Sequence, residues 1–398
     1  MPAELFQRHR VVDVDTHLTE PPDLWTSRVS SKWGEAVPHV ENVRGTDIWV
    51  AAGSFLNTPG NTAIAGWQGY VPDGPRTYDE IPPSAYDAGA RLAHMDDEGI
   101  YAQVLYPNVA GFGSAYFLKL GDRELVTACV RAYNDFLVEW TAADPSRLIP
   151  VMSTPFWDLD FAIAELERCV ENGHKAMNFC NHPDSHGEPP LSDPHWDRLW
   201  AAAQDADVPI TFHIGGGDIT APFAKDPHLS FQAKFPKISA LMIMDNIETL
   251  ADLVFGGVCH RFPELRFVSV ESGVGWLPGV LETFDWQWGN SAIREAHPEY
   301  DLLPSEYFRR QIYGCFWFEE DAARFAIEHF PDNVLFETDF PHPTCQHPGP
   351  ASIGTAPGEY ATKALDGLAD DVVAKVLQDN AARVYRLVCG GEQTVRLC

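Results

Sequence analysis

Short apolar runs recur along the chain, separated by longer stretches whose apolar residues return every three or four positions. The runs at 11–17, 101–106, 148–154, 175–179, 210–214, 266–271, 311–316 and 334–339 read as buried strands. Helical spacing fills 88–98, 123–142, 160–171, 195–205, 239–258, 321–329 and 371–388. Strand followed by helix, repeated eight times, implies parallel strands, and such units close into an α/β fold of the (β/α)8 TIM barrel type. A doubly wound open sheet is the alternative. It would normally carry a glycine-rich turn after the first strand, where this chain has Thr16-His17-Leu18.

One stretch breaks the rhythm. Positions 18–86 are rich in Pro, Gly, Trp and Tyr and show no helical period. An irregular segment of that length inside a domain is usually a binding loop or lid. Because it leaves the C-terminal end of the first strand, it is expected to fold over the mouth of the barrel. The organisation expected is therefore one domain over 1–398 with an insertion at about 18–86. A shorter irregular excursion is expected from Gly215 to Ile238.

Charge narrows the partners. With 57 acidic and 28 basic residues, the formal charge of −29 repels nucleic acid and anionic membranes. No run approaches the roughly 18 uninterrupted apolar residues of a membrane span, and Met1 to Arg10 lack the apolar core of a secretory signal. Cys129, Cys169, Cys180, Cys259, Cys315, Cys345, Cys389 and Cys398 are scattered, with no CxxC pair, so reduced thiols in a cytoplasm are expected. Cys398, at the end of the sequence, is expected to be exposed and reactive.

Candidate chemistry gathers at strand ends. In Val-Val-Asp-Val-Asp-Thr-His, positions 11–17, strict alternation puts Asp13, Asp15 and His17 on one face and Val12, Val14 and Thr16 on the other. The valines suit the helices, which would turn the acids and the imidazole into the barrel. Buried together, those groups call for a compensating charge, most directly a divalent cation; a hydrogen-bonded network is the other reading. His213 stands at the end of the fifth strand, before Gly215, Gly216 and Gly217, which match no phosphate-loop pattern. Asp339 ends the eighth strand, with His342 close behind. Alone, His213 reads as structural and Asp339 as a helix cap. Together with the first strand they share the rim where barrel enzymes keep their sites.

These residues carry a resemblance. Asp15-Thr16-His17, Phe212-His213, Phe255-Gly256-Gly257-Val258 running to Arg261-Phe262-Pro263-Glu264-Leu265, and Thr338-Asp339-Phe340-Pro341 are similar to the amidohydrolase superfamily. The branch is the amidohydrolase-related one that includes aminocarboxymuconate-semialdehyde decarboxylase and the resorcylate decarboxylases. The resemblance implies one divalent metal ion on Asp15, His17, His213 and Asp339, zinc first, with manganese or iron as alternatives. Two carboxylates would leave such a site nearly neutral. The chain departs from the pattern after the sixth strand, where decarboxylases of the branch usually carry a histidine and this chain has Glu271. Glu271 can act as general acid or base, serve as a further ligand, or be structural. His342 is a candidate proton shuttle or donor to a ligand.

Three functional readings follow. The resemblance favours non-oxidative decarboxylation of a small aromatic or unsaturated carboxylic acid. Metal-assisted hydrolysis of a C–N, C–O or activated C–C bond is the alternative, for which a carboxylate base is well suited. A barrel that binds without turnover is the third. The expected partners are a small-molecule acid and further copies of the chain, a dimer favoured, with no nucleic acid and no membrane. Asn178, His182 and His186 follow the fourth strand and read first as a solvated loop, with substrate contact as the alternative, whereas His174 and Lys175 precede it. Trp276, Trp286, Trp288 and Trp317 are expected in the core or the pocket wall.

Overall fold

The computed structural model describes residues 2–111, 114–216 and 225–387. Each apolar run expected as a strand is one: β1 (Val11–His17), then, beyond an insertion, β5 (Ile100–Tyr106), β6 (Leu148–Ser153), β7 (Ala176–Asn178), β8 (Ile210–His213), β9 (Phe267–Val270), β10 (Ile312–Phe316) and β11 (Val334–Phe336). Their order in the sheet is β1-β5-β6-β7-β8-β9-β10-β11, and each neighbouring pair runs parallel. A parallel bridge between Thr16 and Phe340 joins the last strand's exit to the first. Two backbone bonds complete the seam, His17 N to Phe340 O at 2.8 Å and Asp339 N to Asp15 O at 2.9 Å. That closure makes a barrel and excludes the open sheet.

Two apolar layers hold it. Leu105, Met152, Met177, Phe212 and Phe336 pack outward onto helices such as Arg123–Thr141 and Leu159–Asn172. Val12, Val14, Ala102, Val104, Val151, Val268 and Val270 form the inner cluster, joined by Ala381, Val384 and Tyr385 of the last helix. Branched residues fill a barrel interior well.

Here the alternation expected for β1 fails. Val12 and Val14 face inward, and Asp13 does not share a face with Asp15 and His17. The cause is a bulge: Asp13 pairs with Gln103 and Thr16 with Leu105, so Val14 and Asp15 on β1 oppose Val104 alone on β5. Asp13 turns to Gln103, whose amide oxygen is held by Arg91 of helix Ala88–Glu98. Asp15 and His17 are left at the C-terminal mouth.

The insertion is more regular than expected. It carries an antiparallel meander of β2 (His39–Val43), β3 (Thr46–Ala51) and β4 (Ser54–Asn57). Its turns are Arg44-Gly45 and Ala52-Gly53, all four residues at positive φ, the geometry that tight hairpins require. Ile64 and Ala65 then donate to Pro341 O, which ties the insertion to the exit of β11. The second excursion also carries a helix. Residues 217–224 lie outside the described residues, but a helix begins at Phe231 and runs to Leu241 before the helix Ile243–Phe255.

The six described cysteines are free and buried; Cys389 and Cys398 lie outside the described residues. Among the described residues no helix is long and apolar enough to cross a membrane.

Candidate metal centre

Closing the barrel brings the ends of β1, β8, β9 and β11 to one point. His17 Nε2 lies 3.2 Å from His213 Nε2, 3.4 Å from Asp15 Oδ1 and 3.5 Å from Asp339 Oδ1. His213 Nε2 is 3.6 Å from Asp15 Oδ1 and 3.4 Å from Glu271 Oε2. His342 places Nδ1 2.9 Å from Asp339 Oδ1 and stacks its ring on His17, centroids 3.7 Å apart. All six residues are buried. The ligand atoms fall into overlapping groups: Asp15, His17 and His213; His17, Asp339 and His342; Asp15, Glu271 and Asp339.

The backbone is bent to achieve this. Glu271 and Asp339, just beyond β9 and β11, adopt φ of 54° and 59°. For residues with a Cβ such left-handed positions cost on the order of 1–3 kcal/mol, and they persist where the surroundings enforce them. Glu337 supplies part of that enforcement, its Oε2 accepting the Glu271 N–H at 3.1 Å.

Do these residues fit a cation? The imidazoles of His17 and His213 each turn Nδ1 to a carbonyl, His17 to Pro107 O at 3.3 Å and His213 to Ile214 O at 2.8 Å. A carbonyl only accepts, so Nδ1 carries the proton and the two Nε2 lone pairs face each other. Among the described residues, no N–H or hydroxyl donor meets an oxygen of Asp15 or Asp339 in hydrogen-bonding geometry. The nearest buried cationic side chain, Arg91, spends its donors on Ser84 O, Gln103 Oε1 and His17 O. Opposed lone pairs beside carboxylates without donors are stabilised by a divalent cation and costly without one. The donor set fits.

The electrostatics agree. Burial, and then the neighbouring His342 and His213, hold His17 well below the usual imidazole range. His213 is drawn upward against burial by Asp15 and Glu271, the same field that attracts a cation. Burial pushes Glu271 well above the usual carboxyl range, reinforced by Asp339, and Asp339 is pushed up by burial and Asp15. Burial brings His342 down to about 3.

A cavity of about 440 Å3 opens at His342, the one clustered residue in its lining, and is bounded also by Ile64, Trp67 and Tyr70 of the insertion, by Phe235 and by Thr344. Insertion residues therefore form part of that cavity's wall.

Other candidates stand apart. Asn178 is buried against Thr154 and Thr211. His182 faces Asp245 at 3.7 Å, and His186 lies beside Phe156. His174, at the entry to β7, contacts Cys169 O and lies away from the mouth, as expected. Trp288 and Trp317 are buried, but Trp286 is 70% exposed, so it lines neither core nor pocket.

Sequence reasoning missed Glu20 and Asn108. Asn108 Oδ1 meets His342 Nε2 at 2.6 Å, and Glu20 Oε1 accepts from the N–H groups of Asn108 and Val109. The available signal was position: Asn108 directly follows β5 and Glu20 follows β1, both on the functional rim.

Comparison with known proteins adds the following. The amidohydrolase family profile matches residues 12–387. Gamma-resorcylate decarboxylase of Rhizobium radiobacter is 30% identical over 319 residues, 75% of this chain and 86% of its own length. An amidohydrolase from Mycobacterium avium subsp. paratuberculosis superposes with a TM-score of 0.74 at 23% identity, covering 95% of this chain and 99% of that one. A dihydroxybenzoic acid decarboxylase from Polaromonas sp., solved with manganese and the inhibitor 2-nitroresorcinol, gives 0.62 at 18% identity, covering 95% and 97%. Both structures share this chain's fold.

Proposed function

The chain belongs to the amidohydrolase family, and from that premise we propose that it is a metal-dependent, non-oxidative decarboxylase of a small aromatic carboxylic acid. Asp15, His17, His213 and Asp339 would hold one divalent ion. An oxygen- and imidazole-rich donor set accepts zinc and manganese alike, and the manganese of the Polaromonas relative brings that ion forward beside zinc. Bound there, the ion would supply positive charge for the substrate's carboxylate and an adjacent oxygen.

The observation that carries the reading is Glu271. Its carboxyl group is buried at the rim, 3.4 Å from His213, and we assign it as the proton donor. Decarboxylation needs such a donor. When the C–C bond breaks, its electron pair stays on the ring carbon and CO2 leaves. The Glu271 proton moves to that carbon, and the resulting carboxylate is reprotonated from water before the next turnover. Relatives named as gamma-resorcylate decarboxylases support this assignment over hydrolysis. Trp67, Tyr70 and Phe235 would cover the aromatic ring and exclude water.

The test is direct. Protein loaded with manganese or zinc is given 2,6-dihydroxybenzoate and a panel of other hydroxybenzoates, and released CO2 is measured. CO2 in step with loss of substrate supports the reading. Incorporation of oxygen from labelled water into an amide or ester substrate, with no CO2 from any acid, would replace it with hydrolysis.

A further inference from the structure

The segment that follows β5 touches two of the clustered histidines. Pro107 O takes His17 Nδ1 at 3.3 Å, and Asn108 Oδ1 takes His342 Nε2 at 2.6 Å. Asn108 is oriented by its own Nδ2, which donates to Leu18 O at 2.6 Å, so its oxygen must face His342. Both contacts depend on where residues 107–109 sit, and β5 has ended by then. One side chain anchors them. Glu20 Oε1 accepts the N–H of Asn108 at 2.8 Å and of Val109 at 3.0 Å.

Glu20 is itself well fixed. It is fully buried at the start of the insertion, and its carbonyl accepts Tyr78 Oη–H at 2.7 Å. Its neighbour Thr19 donates to Ala85 O at 2.7 Å. The insertion is thereby linked to the imidazoles through one carboxylate and three residues of loop.

We infer that Glu20 is a positioning residue for the metal centre: by holding residues 107–109 it sets the ring orientation and tautomer of His17 and the partner of His342. The inference rests on the metal reading of the cluster. The partner of a ligand histidine's second nitrogen fixes its tautomer and basicity, and loss of such a partner typically costs about 10–100-fold in metal affinity. Glu20 acts one step further out, through the carbonyl that serves as that partner.

The experiment compares wild type, Glu20→Asp and Glu20→Gln, each loaded with manganese, by the rate at which a chelator strips the ion and by melting temperature. Glu20→Asp keeps the carboxyl group but withdraws the acceptor by a methylene, and its metal loss is expected to quicken by about 10–100-fold. Glu20→Gln keeps an oxygen acceptor at the same reach and is expected to hold manganese as wild type does. Equal metal loss in all three, whatever the melting temperatures, overturns the inference, as does rapid loss from Glu20→Gln. Should Glu20→Asp not fold, Asn108→Ala carries the test. It leaves the Pro107 carbonyl in place, so metal must be retained while turnover falls, and unchanged turnover overturns the inference. A wild-type protein that takes up no stoichiometric metal fails earlier, and removes the metal reading itself.

Discussion

Asp13 and Thr338 are joined twice across the barrel seam: the Thr338 N–H donates to Asp13 Oδ1 at 2.9 Å and its hydroxyl to Oδ2 at 2.7 Å. Gln103 adds a third donor at 3.1 Å. The staple lies one residue before Asp339 and two before Asp15, so it locks the chain on both sides of the cluster. Asp13→Ala would leave these buried donors without an acceptor. A loss of about 2–4 kcal/mol is expected, read as a lower urea midpoint. Thr338→Val removes only the hydroxyl and should cost less. Equal stability of Asp13→Ala and wild type would refute the role.

A second buried carboxylate predicts a pH signature. Glu165 is buried but takes hydrogen bonds from Arg168 at 2.9 and 2.5 Å and from Asn134 at 3.1 Å. Burial alone would raise it, yet these partners hold it below the ordinary value of 4.5. A depressed carboxyl stabilises the fold above its unfolded value and loses that contribution as pH falls through the folded one. The stability gap between wild type and Glu165→Gln should therefore be constant above about pH 4.5 and narrow below it. Urea unfolding across pH 7 to 3 measures this, and a gap that widens toward acid would reverse the sign.

Removing a proposed ligand should separate metal from fold. His213→Ala and Asp339→Ala delete groups at the mouth, not in either apolar layer. Elemental analysis is expected to show loss of the bound ion and assays loss of activity, with circular dichroism unchanged. Metal-free Asp339→Ala is expected to be more stable than metal-free wild type, since it removes a buried carboxyl crowded by Asp15 and Glu271. Full metal content in either variant would remove that residue from the proposed set.

The parts of this architecture that depend on local pattern were legible in the sequence. Eight apolar runs became eight strands, and their shared direction put Asp15, His17, His213, Glu271 and Asp339 at one rim. The bulge in β1 was not legible, because it arises from pairing with β5 and closure against Phe340, and alternation alone describes an unbulged strand. The hairpins of the insertion were masked by its glycines and prolines, whose turn signals read as loop. Glu20 and Asn108 escaped because their importance lies in contacts between segments 88 residues apart. A single chain offers no sign of that proximity.

The sharpest discrimination falls on Glu271. If it is the proton donor, Glu271→Gln keeps the shape and the ligand set, so the ion should remain while kcat falls by about 100–10,000-fold. If it is instead a ligand, metal is lost as well, since its oxygen lies close enough to Asp15 and Asp339 to share an ion. If it is structural, melting temperature falls and kcat at saturating metal does not. Metal content, kcat and melting temperature measured on one preparation distinguish the three. Carbon-bound deuterium in the product from D2O adds a further constraint. Wild type should place one deuteron at the carbon that loses CO2, and Glu271→Gln should slow that step without changing its position. The donor role would not survive a Glu271→Gln protein with wild-type kcat.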